Sequence, residues 1–333
     1  MSIFKPAPYQ TTSPYMWARE LSNIQSISFH WNHLQLNFTE DIKAFLTEDA
    51  KIKDIMFRIL SRLTQGDVDV AKSYREISSK FCNPDICMMI MNFAQIETVH
   101  MQAYARIPIE VCPHEADKIF QSFKDHQTNR ETDDFLQSFT QNTDIELAIK
   151  MATFSGFMEG LVLFSLFAIL YHISTHKKDN KPTYTGMGQV VEYSIRDETL
   201  HTIGMIKLYH KLIEEVGIDK NMINQKIIQI CNKMIDLECD CIDFLFGDDN
   251  DEIYDLHKQT VKDYVYYLAE IRLNQLEIYD YTPATDRGIT NQPIPVMDDI
   301  VNKQNLNDFF ISTSNQYQDI KVDVNSLDES CFQ

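Results

Sequence analysis

The sequence predicts an all-α fold, a helical bundle built around a buried di-metal carboxylate site. Three observations carry that expectation. Two Glu-x-x-His pairs, Glu97/His100 and Glu198/His201, occur on separate stretches, and isolated acids, Asp67 and Glu159, stand on two more. This matches the ligand set of a di-metal site held between bundle helices. Structure breakers are scarce: 9 Gly and 10 Pro in 333 residues favour long helices over a turn-rich β fold.

Residues 1–40 read as irregular, with Pro6, Pro8 and Pro14 among scattered polar and aromatic residues. A helical pattern opens at Thr39-Glu40-Asp41, where Thr39 suits a cap. Ile42, Phe45, Leu46, Ile52, Ile55, Met56, Ile59, Leu60 and Leu63 follow at helical spacing, and Gly66 reads as a break or bend. The next helix is expected over residues 67–81. Val70, Ala71, Tyr74 and Ile77 share a face with Asp67, which makes it the inward-pointing acid. Asn83-Pro84 is a turn into a long helix that ends near Pro108. That helix carries Glu97, His100 and Tyr104 on one face, since offsets of three and four residues share a face.

Residues 113–141 suit shorter helices with a polar surface. Residues 144–172 form an apolar central helix, and its run 154–171 approaches the length that spans a bilayer. Glu159 and His172 argue against lipid, and a helix apolar on all sides equally suits the centre of a soluble bundle. Residues 174–188 read as a solvated loop whose Lys177–Lys181 charges carry no chemistry. Helices follow over residues 188–216, with Glu198 and His201, then 219–246 and 251–280. Residues 291–296 are expected to be extended, and the acidic end to be mobile. The expected organisation is an irregular segment 1–40, a helical domain 41–295 and a flexible tail 296–333.

Composition narrows the function. Hydrophobic residues make up 44% of the chain, enough for a sizeable core. A net charge of −19 repels phosphate backbones, so no nucleic-acid partner is expected. The seven Cys contain no C-x-x-C pair, and the spacing of Cys239 and Cys241 does not resemble a zinc knuckle. Reduced thiols and an N-terminus without a signal-peptide core predict a cytoplasmic protein with no membrane association.

Four carboxylates and two histidines can hold two first-row metals and leave positions open for a small ligand. Such a set favours iron and manganese over zinc and suits the reduction of O2. Tyr104 lies one turn past His100, while Leu163 and Phe167 follow Glu159 by one and two turns and could wall it off. A phenol in a dry pocket beside an oxidising metal pair can lose an electron; the plainer reading is a core tyrosine with a satisfied hydroxyl.

The set Gln65-Gly-Asp67, Glu97-x-x-His100-x-x-x-Tyr104, Glu159-Gly and Arg196-Asp-Glu-x-x-His201 resembles the small, radical-generating subunit of class I ribonucleotide reductase. The resemblance runs from about residue 15 to the C-terminus. It implies a ferritin-like fold, a homodimer, and a di-metal–tyrosyl radical cofactor on Asp67, Glu97, His100, Glu159, Glu198, His201 and Tyr104. Two irons are the first expectation, with Mn/Fe or Mn/Mn as alternatives and O2 as oxidant. It also implies a large catalytic subunit that reduces the nucleotide. Trp31, in Ser28-Phe-His-Trp31, and Asp197 match the family's inner relay to a ligand histidine, here His100. Phe309-Phe310 and Tyr317 resemble the segment that hands the radical onward, and residues 326–333 the tail that docks on the large subunit.

Three features depart from the family pattern. Leu163 stands where a Phe is common, the loop between Glu159 and Glu198 is longer, and no glutamate precedes Tyr317 in the usual place. Thr64-Gln-Gly-Asp-Val-Asp-Val70 resembles a branch in which some members use manganese with iron. Two other readings share the same site: a di-metal monooxygenase, desaturase or oxidase with its own substrate, and a metal-storage bundle.

Overall fold

A computed structural model of the chain describes residues 2–178, 181–247 and 251–303. Tyr317, Phe309, Phe310 and the expected docking segment lie outside the described residues. Within them the architecture is an all-α bundle, with two minimal antiparallel hairpins, Lys177–Lys178 with Lys181–Pro182 and Glu252–Ile253 with Leu256–His257, as its only sheet.

The bundle is wrapped around one continuous helical rod. Its parts are α8 (Asp144–Met151), a π-helical stretch (Ala152–Leu163) and α9 (Phe164–Thr175). Every residue from 151 to 170 is buried, and the most apolar window of the rod is wholly enclosed by protein. Its hydrophobicity is therefore that of a core helix with no face to water. A capping box fixes its start: the Thr143 hydroxyl accepts from the Glu146 N–H, and the Glu146 carboxylate accepts from the Thr143 N–H.

Against this rod pack α3 (Ala50–Ser78), α10 (Thr185–Val216), α11 (Lys220–Phe246) and α12 (Lys258–Gln275), while α4 (Pro84–Tyr104) packs on α3 and α10 and is followed by the short helices α5 (Arg106–Val111), α6 (Ala116–Ser122) and α7 (Gln127–Gln137). The turn between α3 and α4 forms as Asn83-Pro84 suggests. Pro84 opens α4, where a missing N–H costs nothing, and the Asn83 side chain accepts from the Asp85 N–H at 3.0 Å.

Several elements differ from the sequence expectation. Gly66 does not break the chain; α3 runs through it as one helix of 29 residues. A Cβ there would lie 3.0 Å from Met158 Cε and 3.5 Å from Leu163 Cδ2. Gly66 thus serves close approach between α3 and the rod. The first forty residues are not irregular throughout: α1 (Met16–Asn23) and a π turn (Ile24–Ser28) pack on α4. The three prolines masked the apolar face of Ala18 and Leu21. Residues 251–257 form a hairpin before α12, with Tyr254 and Asp255 at positive φ in its turn. Residues 295–303, expected to be extended and tail-like, form a helix, α13 (Pro295–Lys303), which buries Met297 and Ile300.

Thr39 starts α2 (Thr39–Thr47) but makes no side-chain cap. The nearby acid Asp41 caps a different helix. It is buried, and its two oxygens accept from the Gly186 and Met187 N–H groups at 3.0 and 2.7 Å, at the start of α10. Gly186 is required there, because a Cβ would come within 2.6 Å of the Asn37 carbonyl oxygen. Asp41→Ala strands two buried donors. It is expected to destabilise the protein by about 1–3 kcal/mol, measured as a shift in urea midpoint at constant slope; an unchanged midpoint would refute the long-range cap.

Candidate metal centre

The six sequence-predicted donors come from four elements and meet in one place. Asp67 projects from α3, Glu97 and His100 from α4, Glu159 from the π stretch, and Glu198 and His201 from α10. All six are fully buried. The π stretch changes the helical phase around Glu159, and neighbours satisfy carbonyl groups along it: Arg272 Nε donates to the Gly160 carbonyl at 2.8 Å and Thr202 Oγ1 to the Ser155 carbonyl at 3.2 Å. A Cβ on residue 160 would meet Arg272 Nε at 2.4 Å, so glycine next to Glu159 makes room for the guanidinium.

Two overlapping groups, Glu97/Glu159/Glu198/His201 and Asp67/Glu97/His100, bring ligand atoms within 4.8 Å of one another. His201 Nδ1 faces Glu97 Oε1 at 3.1 Å, Glu198 Oε2 at 3.2 Å and Glu159 Oε1 at 3.3 Å. His100 Nδ1 faces Glu97 Oε2 at 3.1 Å, Glu198 Oε1 at 3.2 Å and Asp67 Oδ2 at 3.9 Å. One ring N–H can serve only one of three acceptors. Glu97 and Glu198 each turn one oxygen to either histidine, so both can bridge two ion positions. Asp67 and Glu159 stand at opposite ends.

The donor chemistry fits two divalent cations, whose charge equals that of four ionised carboxylates. Both Asp67 oxygens are buried with no hydrogen-bond partner among the described residues. Without cations the cluster holds protons instead. Burial pushes Asp67 well above the usual carboxylate range, helped by Glu97. Burial likewise pushes Glu159 up to about 8, against the pull of His201. It would raise Glu198 too, but His201 and His100 beside it hold that group down to about 2. Burial opposes charged rings at His100 and His201, yet the surrounding carboxylates hold both well above the ordinary imidazole range.

A second layer surrounds the donors. Asp197 Oδ2 accepts from Trp31 Nε1 at 2.8 Å and lies 3.1 Å from His100 Nε2. A proton on Nε2 leaves the Nδ1 lone pair free to face the cluster. Arg196 Nε and Nη2 each donate to Asp197 Oδ1 at 3.2 Å. Tyr104 is buried, with Phe167 6.5 Å away between ring centroids, and its hydroxyl donates to Ser194 Oγ at 2.7 Å.

Three neighbours escaped sequence reasoning as site residues: Ser194, Tyr193, which lies 5.3 Å from the Trp31 ring, and Tyr74, whose hydroxyl lies 2.6 and 2.7 Å from the Glu159 oxygens. Ser194 sits one turn before Glu198 and Tyr74 two turns after Asp67, so shared helix faces were the available signal.

Fold and site together define a ferritin-like di-metal carboxylate protein. The sequence profile of the family "Ribonucleotide reductase, small chain" matches residues 11–285, and the chain belongs to that family. It is 28% identical over 308 residues to the probable ribonucleoside-diphosphate reductase small subunit of Invertebrate iridescent virus 3, covering 86% of this chain and 78% of that protein. The β subunit of ribonucleoside-diphosphate reductase from Halalkalibacterium halodurans is 23% identical, with 95% of this chain and 89% of that one covered. Among solved structures, a putative class I ribonucleotide reductase of Bacillus halodurans shares the fold with a TM-score of 0.75 at 20% identity, covering 86% of this chain and 99% of that one. The dimanganese(II) NrdF of Streptococcus sanguinis does so at 0.72 and 16%, covering 90% and 100%.

Cation uptake must displace the protons held by the ion-free cluster. Glu159, raised to about 8, keeps its proton at lower pH and gives it up as pH rises. Mn(II) affinity, followed by titration, should therefore increase from about pH 6 to about pH 8, with protons released on binding. A pH-independent affinity would contradict the protonated cluster.

Proposed function

We propose that this chain is the small subunit of a ribonucleoside-diphosphate reductase. In this reading it generates a radical on Tyr104 and passes it to a large catalytic subunit, which reduces ribonucleotides to deoxyribonucleotides for DNA synthesis. The observation that carries the reading is the buried line from His100 through Asp197 to Trp31, next to a phenol one turn from His100. A hydroxylase or storage bundle has no use for such a line. Family membership supports the subunit assignment, and the names of the relatives supply the diphosphate form of the substrate.

Asp67, Glu97, His100, Glu159, Glu198 and His201 would hold the metals. The pair, when bound, supplies oxidising power by reducing O2. We assign iron to both positions, with Mn/Fe or Mn/Mn as alternatives for the same carboxylate-rich donors. Tyr104 is held dry in the core, where its radical is shielded from solvent reductants, and Ser194 accepts its hydrogen bond. Asp197 aligns Trp31 with His100 so that an electron and a proton can move together. Tyr317 would continue the path, the segment beyond α13 would dock on the large subunit through residues 326–333, and the chain would act as a cytoplasmic homodimer.

Electron paramagnetic resonance of the metal-loaded, O2-exposed protein tests this. A tyrosyl or high-valent metal signal is expected; absence of both would refute the reading. Tyr104→Phe should abolish a tyrosyl signal while two metals per chain remain bound. Removing residues 318–333 should abolish ribonucleotide reduction with added large subunit and leave O2 consumption intact; reduction that survives the truncation would refute docking through the tail.

A further inference from the structure

Tyr74 is a buried phenol whose hydroxyl donates to the Glu159 carboxylate, lying 2.6 Å from Oε1 and 2.7 Å from Oε2. Approaches of that length lie at the short end of ordinary O–H···O hydrogen bonds. The phenol ring stands edge-on to His201 at 5.9 Å and 6.1 Å from Phe93. Helix α3 therefore reaches the cluster twice from one face: Asp67 at the His100 end and, two turns later, Tyr74 behind Glu159 at the His201 end. The two end carboxylates are treated differently. Glu159 is tied by the phenol, whereas neither oxygen of Asp67 has a hydrogen-bond partner among the described residues.

We propose that Tyr74 is a positioning residue for the His201-side ion, holding the Glu159 carboxylate in its ligating orientation and so making the two ion positions unequal. This rests on the di-metal reading above and adds to it a determinant of how each position fills. Groups that orient a ligand from behind typically contribute about 10–100-fold to metal affinity. Tyr74→Phe keeps the ring and removes only the hydroxyl.

The test is titration of Mn(II) alone into the metal-free full-length protein, with free and bound Mn(II) read by electron paramagnetic resonance. Wild type is expected to take two ions per chain and give the broadened signal of a coupled pair. Tyr74→Phe should keep one position within about threefold and weaken the other about 10–100-fold, giving a mononuclear six-line signal near one equivalent. Phe93→Leu, which disturbs packing 4.4 Å from the same His201 ring without touching a hydrogen bond, should lower the melting temperature and still bind two ions.

An unchanged isotherm for Tyr74→Phe, equal weakening of both positions, or the same selective loss in Phe93→Leu would each overturn the proposal. A visible phenolate-to-Fe(III) absorption band lost in Tyr74→Phe would also overturn it, by making Tyr74 a direct ligand. Failure of wild type to bind two ions would instead sink the di-metal reading itself, so the two failures are separable.

Discussion

Four carboxylates and two imidazoles are confined in a core whose other side chains are mostly apolar, and their mutual electrostatics constrain everything around them. Two like charges about 4 Å apart repel by about 4 kcal/mol at an effective dielectric near 20. A handful of such pairs rivals the whole stability of a folded domain, about 5–15 kcal/mol. The cluster is therefore tolerable only when protons or cations neutralise it. The raised positions of Asp67 and Glu159 are the proton form of that neutralisation. The bridging geometry of Glu97 and Glu198 suits the cation form.

The scaffold works to keep that arrangement. Glu159 sits in a π-helical stretch, a geometry that disturbs the usual carbonyl pairing, and Arg272 and Thr202 reach across from α12 and α10 to groups within it. Asp41 fixes the start of α10, the helix that delivers Asp197, Glu198 and His201. Asp197 is shared between Trp31 and His100, so the N-terminal segment is joined to the cluster through one carboxylate. Each of these contacts ties an element remote in sequence to a helix that carries a donor.

Much of this was legible in the sequence, because helical spacing fixes which side chains share a face. The two Glu-x-x-His pairs and the choice of Asp67 over Asp69 follow from that rule, and the structure brings Asp67, Glu97, His100, Glu159, Glu198 and His201 together. The π stretch was not legible: where every residue is apolar, a period of 3.6 cannot be told from a wider one. Gly66 was misread as a break because a glycine looks the same whether it ends a helix or lets two helices touch. The bonds Tyr74–Glu159 and Asp41–Gly186 span 85 and 145 residues, and no local pattern announces them. The apolar positions of α1 and α13 were overshadowed by nearby prolines.

The rod at the centre of the bundle has a further consequence. From residue 151 to 170 it presents no side to solvent, so a change of size or polarity along it meets packed neighbours: at Gly160 an added Cβ would strike Arg272, whereas at Gly156 it would rest in ordinary contact with Leu276. Substitution is therefore easier on the outer helices, while larger changes in the rod call for compensating exchanges among its packed partners.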